Sequence, residues 1–154
     1  MDFNDGENFL VPKKFTLHLK TDIQLLNQVL AWFEQFNHPP VPYQTWMKCQ
    51  LALVEAFTNA VRHAHKQLPP ETPIDIEVSI LPESLEIRIL DCGPGLDLAK
   101  KLNSLKQHRD PEAEGGRGLR LMELIADRMT YTNIEDRGNC FRNCFLMVKH
   151  YSPS

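Results

Sequence analysis

Five of the seven glycines in this 154-residue chain stand in two short turns. Gly93 and Gly95 follow an alternating apolar run that ends at Asp91, while Gly115, Gly116 and Gly118 precede a helical pattern. Glycine at a helix start lets backbone N–H groups approach an anion closely, and those amides together with the helix dipole favour phosphate. A nucleotide would satisfy both turns with one ligand, although either turn alone is more often a simple reversal of the chain. Neither GxxxxGK[ST] nor GxGxxG occurs.

The rest of the chain frames these turns with regular elements. Phe15, Leu17 and Leu19 alternate and predict a strand over residues 14–20, preceded by a polar, flexible arm over residues 1–13. Thr21, with Gln24 three residues on, is placed to cap a first helix whose apolar face is Ile23, Leu26, Leu30 and Phe33, stopped by Pro39-Pro40. A second helix is predicted over residues 44–66. Its later half carries Val54, Phe57, Val61 and Ala64 as an apolar stripe, and Glu55, Asn59 and His63 at i, i+4 and i+8 on another side.

Ile74, Ile76, Val78 and Ile80, then Leu85, Ile87 and Ile89, predict a β-hairpin whose second strand runs into Asp91. Residues 96–114 are polar and long for a connection, a candidate lid with room for a short helix. Leu119, Leu121, Met122, Leu124, Ile125 and Met129 carry a further helix. Strands over residues 130–134 and 141–149 follow, joined by an Asp136-Arg137-Gly138-Asn139 turn. These elements predict an α+β two-layer sandwich, a mixed β-sheet with three helices on one face, in one domain over residues 14–150.

A chain of this length buries its apolar surface without disulfides or structural metal. A net charge of -3 and a pI near 6.1, with dispersed basic residues, leave no electrostatic footprint for nucleic acid. No leader-like segment and no run of about eighteen apolar residues occurs, so no membrane span is expected. Cys49, Cys92, Cys140 and Cys144 are few, and the last two fall on one strand too far apart to bridge. Reduced thiols in a cytoplasmic protein are the simplest expectation.

Several side chains between the turns suit nucleotide chemistry. Asp91 ends a strand beside small residues, where its carboxylate can accept from an exocyclic amine such as adenine N6. Asn59 offers the neutral amide oxygen that Mg²⁺ takes beside phosphates and waters, and Glu55, one turn earlier, can accept a proton from a hydroxyl or water. Arg62 and His63 can reach phosphate or complement the dipole at a helix end. Taken singly, Asp91 is more often a turn-former, and Asn59 and Glu55 are more often solvated helical side chains. A zinc site built from His63, His65 and cysteines matches no familiar spacing.

In order, Glu55-xxx-Asn59, Asp91-x-Gly93-x-Gly95 and Gly115-Gly116-x-Gly118-Leu119 resemble the N-box and two glycine boxes of the GHKL superfamily, which includes gyrase, MutL and histidine kinases. VEAFTNAVRHAH, LDCGPG and EGGRGLRLMELIADRMTY are most similar to the anti-sigma-factor serine kinases. The resemblance implies a Bergerat fold that binds ATP and Mg²⁺, with Asn59 as metal ligand, Glu55 as base and Asp91 as adenine contact. It implies that Gly93 and Gly95 shape the base pocket, that Gly116, Arg117, Gly118 and Leu119 offer phosphate-binding amides, and that His63 neighbours a phosphate. The implied substrate is a serine or threonine of a STAS-domain anti-anti-sigma protein, with a sigma factor as competing partner in a transcriptional switch. A homodimer is among the assemblies left open. Two rivals use the same motifs: a small GHKL ATPase, and a nucleotide-dependent anti-sigma or other binding module that transfers no phosphate.

Overall fold

Period-two patterning produces a five-stranded sheet in the computed structural model, which describes residues 13–108, 116–134 and 141–153. The strands are β1 (Lys13–Lys20), β2 (Pro73–Ile80), β3 (Ser84–Asp91), β4 (Arg128–Asn133) and β5 (Asn143–His150), in the spatial order β1-β2-β3-β5-β4. Every pairing is antiparallel, which corrects the mixed sheet expected from sequence. The reason is topological: helical connections lie between several strands, but none returns its strand parallel to a neighbour.

Register sends one set of side chains to each face. Leu19, Ile74, Ile76, Val78, Ile87, Ile89, Phe145 and Met147 share the inner face and belong to the core. The other face carries ion pairs of Lys14 with Glu77 at 3.1 Å and of Arg88 with Glu86 at 2.9 Å, and a hydrogen bond between His18 Nδ1 and Asp75 Oδ1 at 2.8 Å.

Among the described residues four α-helices accompany the sheet, one more than expected: α1 (Leu26–Phe33), α2 (Tyr43–Asn59), α3 (Leu98–His108) and α4 (Gly116–Ile125). The additional one, α3, lies in the polar 96–114 stretch, and its Leu98 and Leu105 are buried. The α+β sandwich therefore stands with a larger helical layer. Val29, Phe33, Trp46, Leu53, Phe57 and Met122 are among the helical residues of the core, and Trp46 donates its indole N–H to the Phe33 carbonyl at 3.1 Å.

Local details differ from the sequence reading for identifiable reasons. Asp22, not Thr21, is the N-cap at the first helical turn, a 3₁₀ turn over Ile23–Leu25; its carboxylate accepts from Gln24 N at 2.9 Å. Thr21 is used elsewhere. The second helix does not run on regularly to residue 66, because α2 ends at Asn59 and passes into a π-helical turn, Ala60–Ala64. Met129 belongs to β4 rather than to the preceding helix. Lys13 starts β1, while the remainder of the 1–13 arm, residues 109–114 of the lid, Gly115 of the second glycine turn, Cys140 and the 136–139 turn lie outside the described residues. Among the described residues, no helix is long and apolar enough to cross a membrane.

Candidate functional site

Where β3 and β5 end, register places Asp91 opposite Asn143, and Tyr131 of β4 opposite the neighbouring Phe145. All four face inward. Asp91 and Asn143 are each 2% exposed, so their polar atoms need partners inside the protein. Asp91 Oδ1 accepts from Gly93 N at 2.8 Å and from Asn143 Nδ2 at 2.9 Å, and Oδ2 accepts from the Tyr131 hydroxyl at 2.7 Å. Asn143 Nδ2 also donates to the Gly93 carbonyl at 2.8 Å. Burial, and then the adjacent Asp91 charge and its hydrogen bond, push the Tyr131 phenol well above its usual range, keeping it a donor. Oδ1 thus holds two donors and Oδ2 one. With about two lone-pair positions on each oxygen, Oδ2 retains the capacity for one more donor.

The glycines of this turn are required for different reasons. Gly95 has φ +81°, a left-handed conformation that L side chains rarely adopt. At Gly93 an added Cβ would lie 2.6 Å from the Ala64 carbonyl oxygen. This turn is therefore packed directly on the π-helical segment. That segment is closed by the His65 N–H on the Ala60 carbonyl at 2.9 Å, an i to i−5 bond. Such bulges widen a helix by a residue and recur at functional sites.

At the other end of the site, helices α2 and α4 approach at Gly118. A Cβ there would meet Glu55 Oε2 at 2.6 Å and Asn59 Nδ2 at 3.4 Å. Asn59 Nδ2 is buried with no hydrogen-bond partner, the one such side-chain atom among the described residues. A buried amide N–H with no partner in the protein is completed by an acceptor from outside the chain, a ligand or a water. The same amide carries an oxygen suited to Mg²⁺, with a carboxylate one turn away and a backbone bare of side chain opposite, so the residues fit a metal-bound phosphate. Gly116 and Gly118 are buried in the first turn of α4, and Arg117 between them is exposed.

Between the two ends lies a cavity of about 320 Å³ lined by Asn59, His63, Asp91, Gly95 and Leu119, together with Ala56, Ile89, Met122, Tyr131 and Phe145. That size falls in the range of small-molecule sites, and apolar walls with a few convergent polar groups are their usual make-up. The fold brings Glu55, Asn59, His63, Asp91, Gly93, Gly95, Gly116, Gly118 and Leu119 into this one region, and leaves Arg117 at its surface. Sequence reasoning missed Asn143 and Tyr131, which hold Asp91, and Lys66 and Lys101, which line the cavity. A polar Asn143 in an otherwise apolar strand was the available signal. The lysines gave none, because a cation on a helix is ordinarily solvated.

Residues 19–145 match the histidine kinase-like ATPase domain family. A protein named serine-protein kinase RsbW from Bacillus licheniformis is 33% identical over 85 residues, covering 52% of this chain and 53% of that protein. RsbW from Staphylococcus aureus strain RF122 is 31% identical over 100 residues, covering 62% of this chain and 63% of that one. The matched region thus spans between half and two thirds of these relatives. Among solved structures, the mycobacterial sensor histidine kinase MprB aligns over 90% of this chain and 100% of that chain, at 13% identity and a TM-score of 0.49.

Proposed function

We propose, for a chain that belongs to the histidine kinase-like ATPase domain family, that it binds Mg-ATP and phosphorylates a serine or threonine of a STAS-domain antagonist, as an anti-sigma-factor kinase. The observation that carries this reading is the polarity of the cavity: a buried, donor-held carboxylate at one end, and a carboxylate and an unpartnered amide against a glycine backbone at the other. The relatives named serine-protein kinase support the class of acceptor.

In this reading the remaining acceptor capacity of Asp91 Oδ2 receives the adenine amino group, and Ile89, Leu119, Met122 and Phe145 exclude water from the base. Guanine would turn a carbonyl toward the same carboxylate and be rejected. Amides at the start of α4, including those of Gly116, Arg117, Gly118 and Leu119, receive the phosphates, with His63 beside them. Mg²⁺ held by Asn59 supplies positive charge against the phosphate oxygens. Glu55 takes the proton of the incoming hydroxyl while that oxygen bonds the γ-phosphorus and the bond to the β-bridging oxygen breaks, leaving ADP. Acceleration comes from positioning and electrostatics. The sigma factor competes for the surface that the antagonist occupies, so phosphorylation of the antagonist decides which partner is held.

Incubation with radiolabelled ATP and STAS-domain proteins tests this directly. Label on a STAS serine or threonine is expected in the parent and lost in Glu55→Gln, which keeps nucleotide. Tight ATP binding with no label on any acceptor would instead favour the nucleotide-dependent binding module, and release of free phosphate the small ATPase.

A further inference from the structure

His65 lies just past the π-helical turn, 2% exposed, and its two ring nitrogens reach in opposite directions. Nε2 is 2.8 Å from the backbone nitrogen of Cys92, and Nδ1 is 2.7 Å from the Thr21 hydroxyl oxygen. The protonation state follows from these partners. An amide N–H only donates, so Nε2 must be bare. On the other side, Thr21 gives its own hydroxyl proton to the Thr72 carbonyl at 2.7 Å, so it accepts from Nδ1–H. Both constraints select one neutral tautomer. A second proton, on Nε2, would set N–H against N–H and break the bond to Cys92.

What His65 holds is the turn that carries the base-reading groups. Cys92 stands between Asp91 and Gly93, and Gly93 N bonds back to Asp91 Oδ1 while its Cα packs against the Ala64 carbonyl. We propose that His65 is the positioning residue of this turn: its neutral imidazole, anchored on Thr21, holds the Cys92 amide and thereby Asp91 and Gly93 in the geometry that receives the base. This rests on the nucleotide reading above and adds to it a residue behind the cavity wall. The π-turn is what aims the ring inward, since it shifts every residue after Ala60 by one relative to a regular α-helix. Burial holds the His65 pKa below the ordinary histidine value of 6.5, with Asp91 of β3 pulling the other way, in keeping with the neutral form.

Amide spectra of the unliganded ¹⁵N-labelled protein test the contact itself. As pH falls below 6.5, the Cys92 amide is expected to shift and lose exchange protection in step with protonation of His65, and His65→Gln is expected to abolish that step. A Cys92 amide that stays unchanged while His65 protonates overturns the proposal. Calorimetry with Mg-ATP tests the consequence. Over the same interval the parent should lose about tenfold more affinity than His65→Gln, whose side-chain oxygen still accepts from Cys92. His65→Leu, where circular dichroism shows it folded, should bind about tenfold more weakly than the parent at neutral pH. Equal affinity of parent and folded His65→Leu, or parallel pH profiles of parent and His65→Gln, would refute the positioning role. A parent that binds no Mg-ATP would defeat the nucleotide reading instead, and the Cys92 amide would still report whether His65 holds the turn.

Discussion

The two ends of the cavity are built on opposite terms. At the Asp91 end every carboxylate oxygen has a donor, two of the three donors, Tyr131 and Asn143, stand on the sheet, and the glycine turn packs on backbone. At the Glu55 end a buried amide nitrogen has no partner, and the atom facing Gly118 is the tip of a flexible side chain. The first end closes its hydrogen bonds within the protein; the second leaves a buried donor open to a partner from outside the chain. Binding sites commonly combine a rigid recognition element with a region where stability has been given up for chemistry.

Substitutions at the two ends should therefore separate stability from function, and the largest effect belongs to Asp91→Ala. It strips the acceptor from three donors at once, so denaturant unfolding should show a loss of about 3 kcal/mol or more together with abolished nucleotide binding. If Asp91→Ala unfolds at the parent midpoint, the contrast between the ends fails.

Next come the paired glycines. Gly93→Ala pushes a methyl against the Ala64 backbone carbonyl and should cost about 1–3 kcal/mol. Gly118→Ala crowds chiefly the Glu55 carboxylate, which can swing away, and touches Asn59 Nδ2 at an ordinary van der Waals distance of 3.4 Å. Its stability should stay within about 1 kcal/mol of the parent, while transfer to an acceptor protein falls about tenfold as Glu55 leaves its post. Similar unfolding curves for the two variants would mean that backbone and side-chain neighbours were not distinguished.

Acid should act on the first end through His65. Its folded pKa is depressed, so the unfolded chain binds the proton first; this contribution is complete above the unfolded value of 6.5 and is lost as pH falls below it. Unfolding free energy measured against pH should fall more steeply over that interval in the parent than in His65→Gln. The smallest effect on stability is expected of Asn59→Ala, which removes an amide with an unpartnered nitrogen and should leave the unfolding midpoint nearly unchanged or slightly raised. Mg-ATP affinity should fall all the same, and a variant that binds as tightly as the parent would remove Asn59 from the metal site.

Much of this was legible in the chain. The glycine clusters, the Glu55-Asn59 spacing and the strand ending at Asp91 are local patterns, and local geometry alone makes them readable. The mixed sheet was misjudged because strand direction is a property of how distant segments pair, which no window of sequence contains. Thr21 was misjudged for a related reason. Its hydroxyl suits an N-cap, but the competing partner, His65, is 44 positions away and comes beside it only in the folded protein.

By itself, then, the sequence determined the elements, the inner apolar face of the hairpin and the residue types available for nucleotide chemistry, because these follow from periodicities of a few residues. Tertiary structure decided which of them act together. Cross-strand register set Asn143 opposite Asp91 and brought Tyr131 within reach. The π-turn aimed His65 at the amide behind them. Helix packing left Asn59 beside Gly118 with an amide nitrogen unpartnered. Each depends on contacts between residues far apart in the chain, where only the packed core fixes the distances.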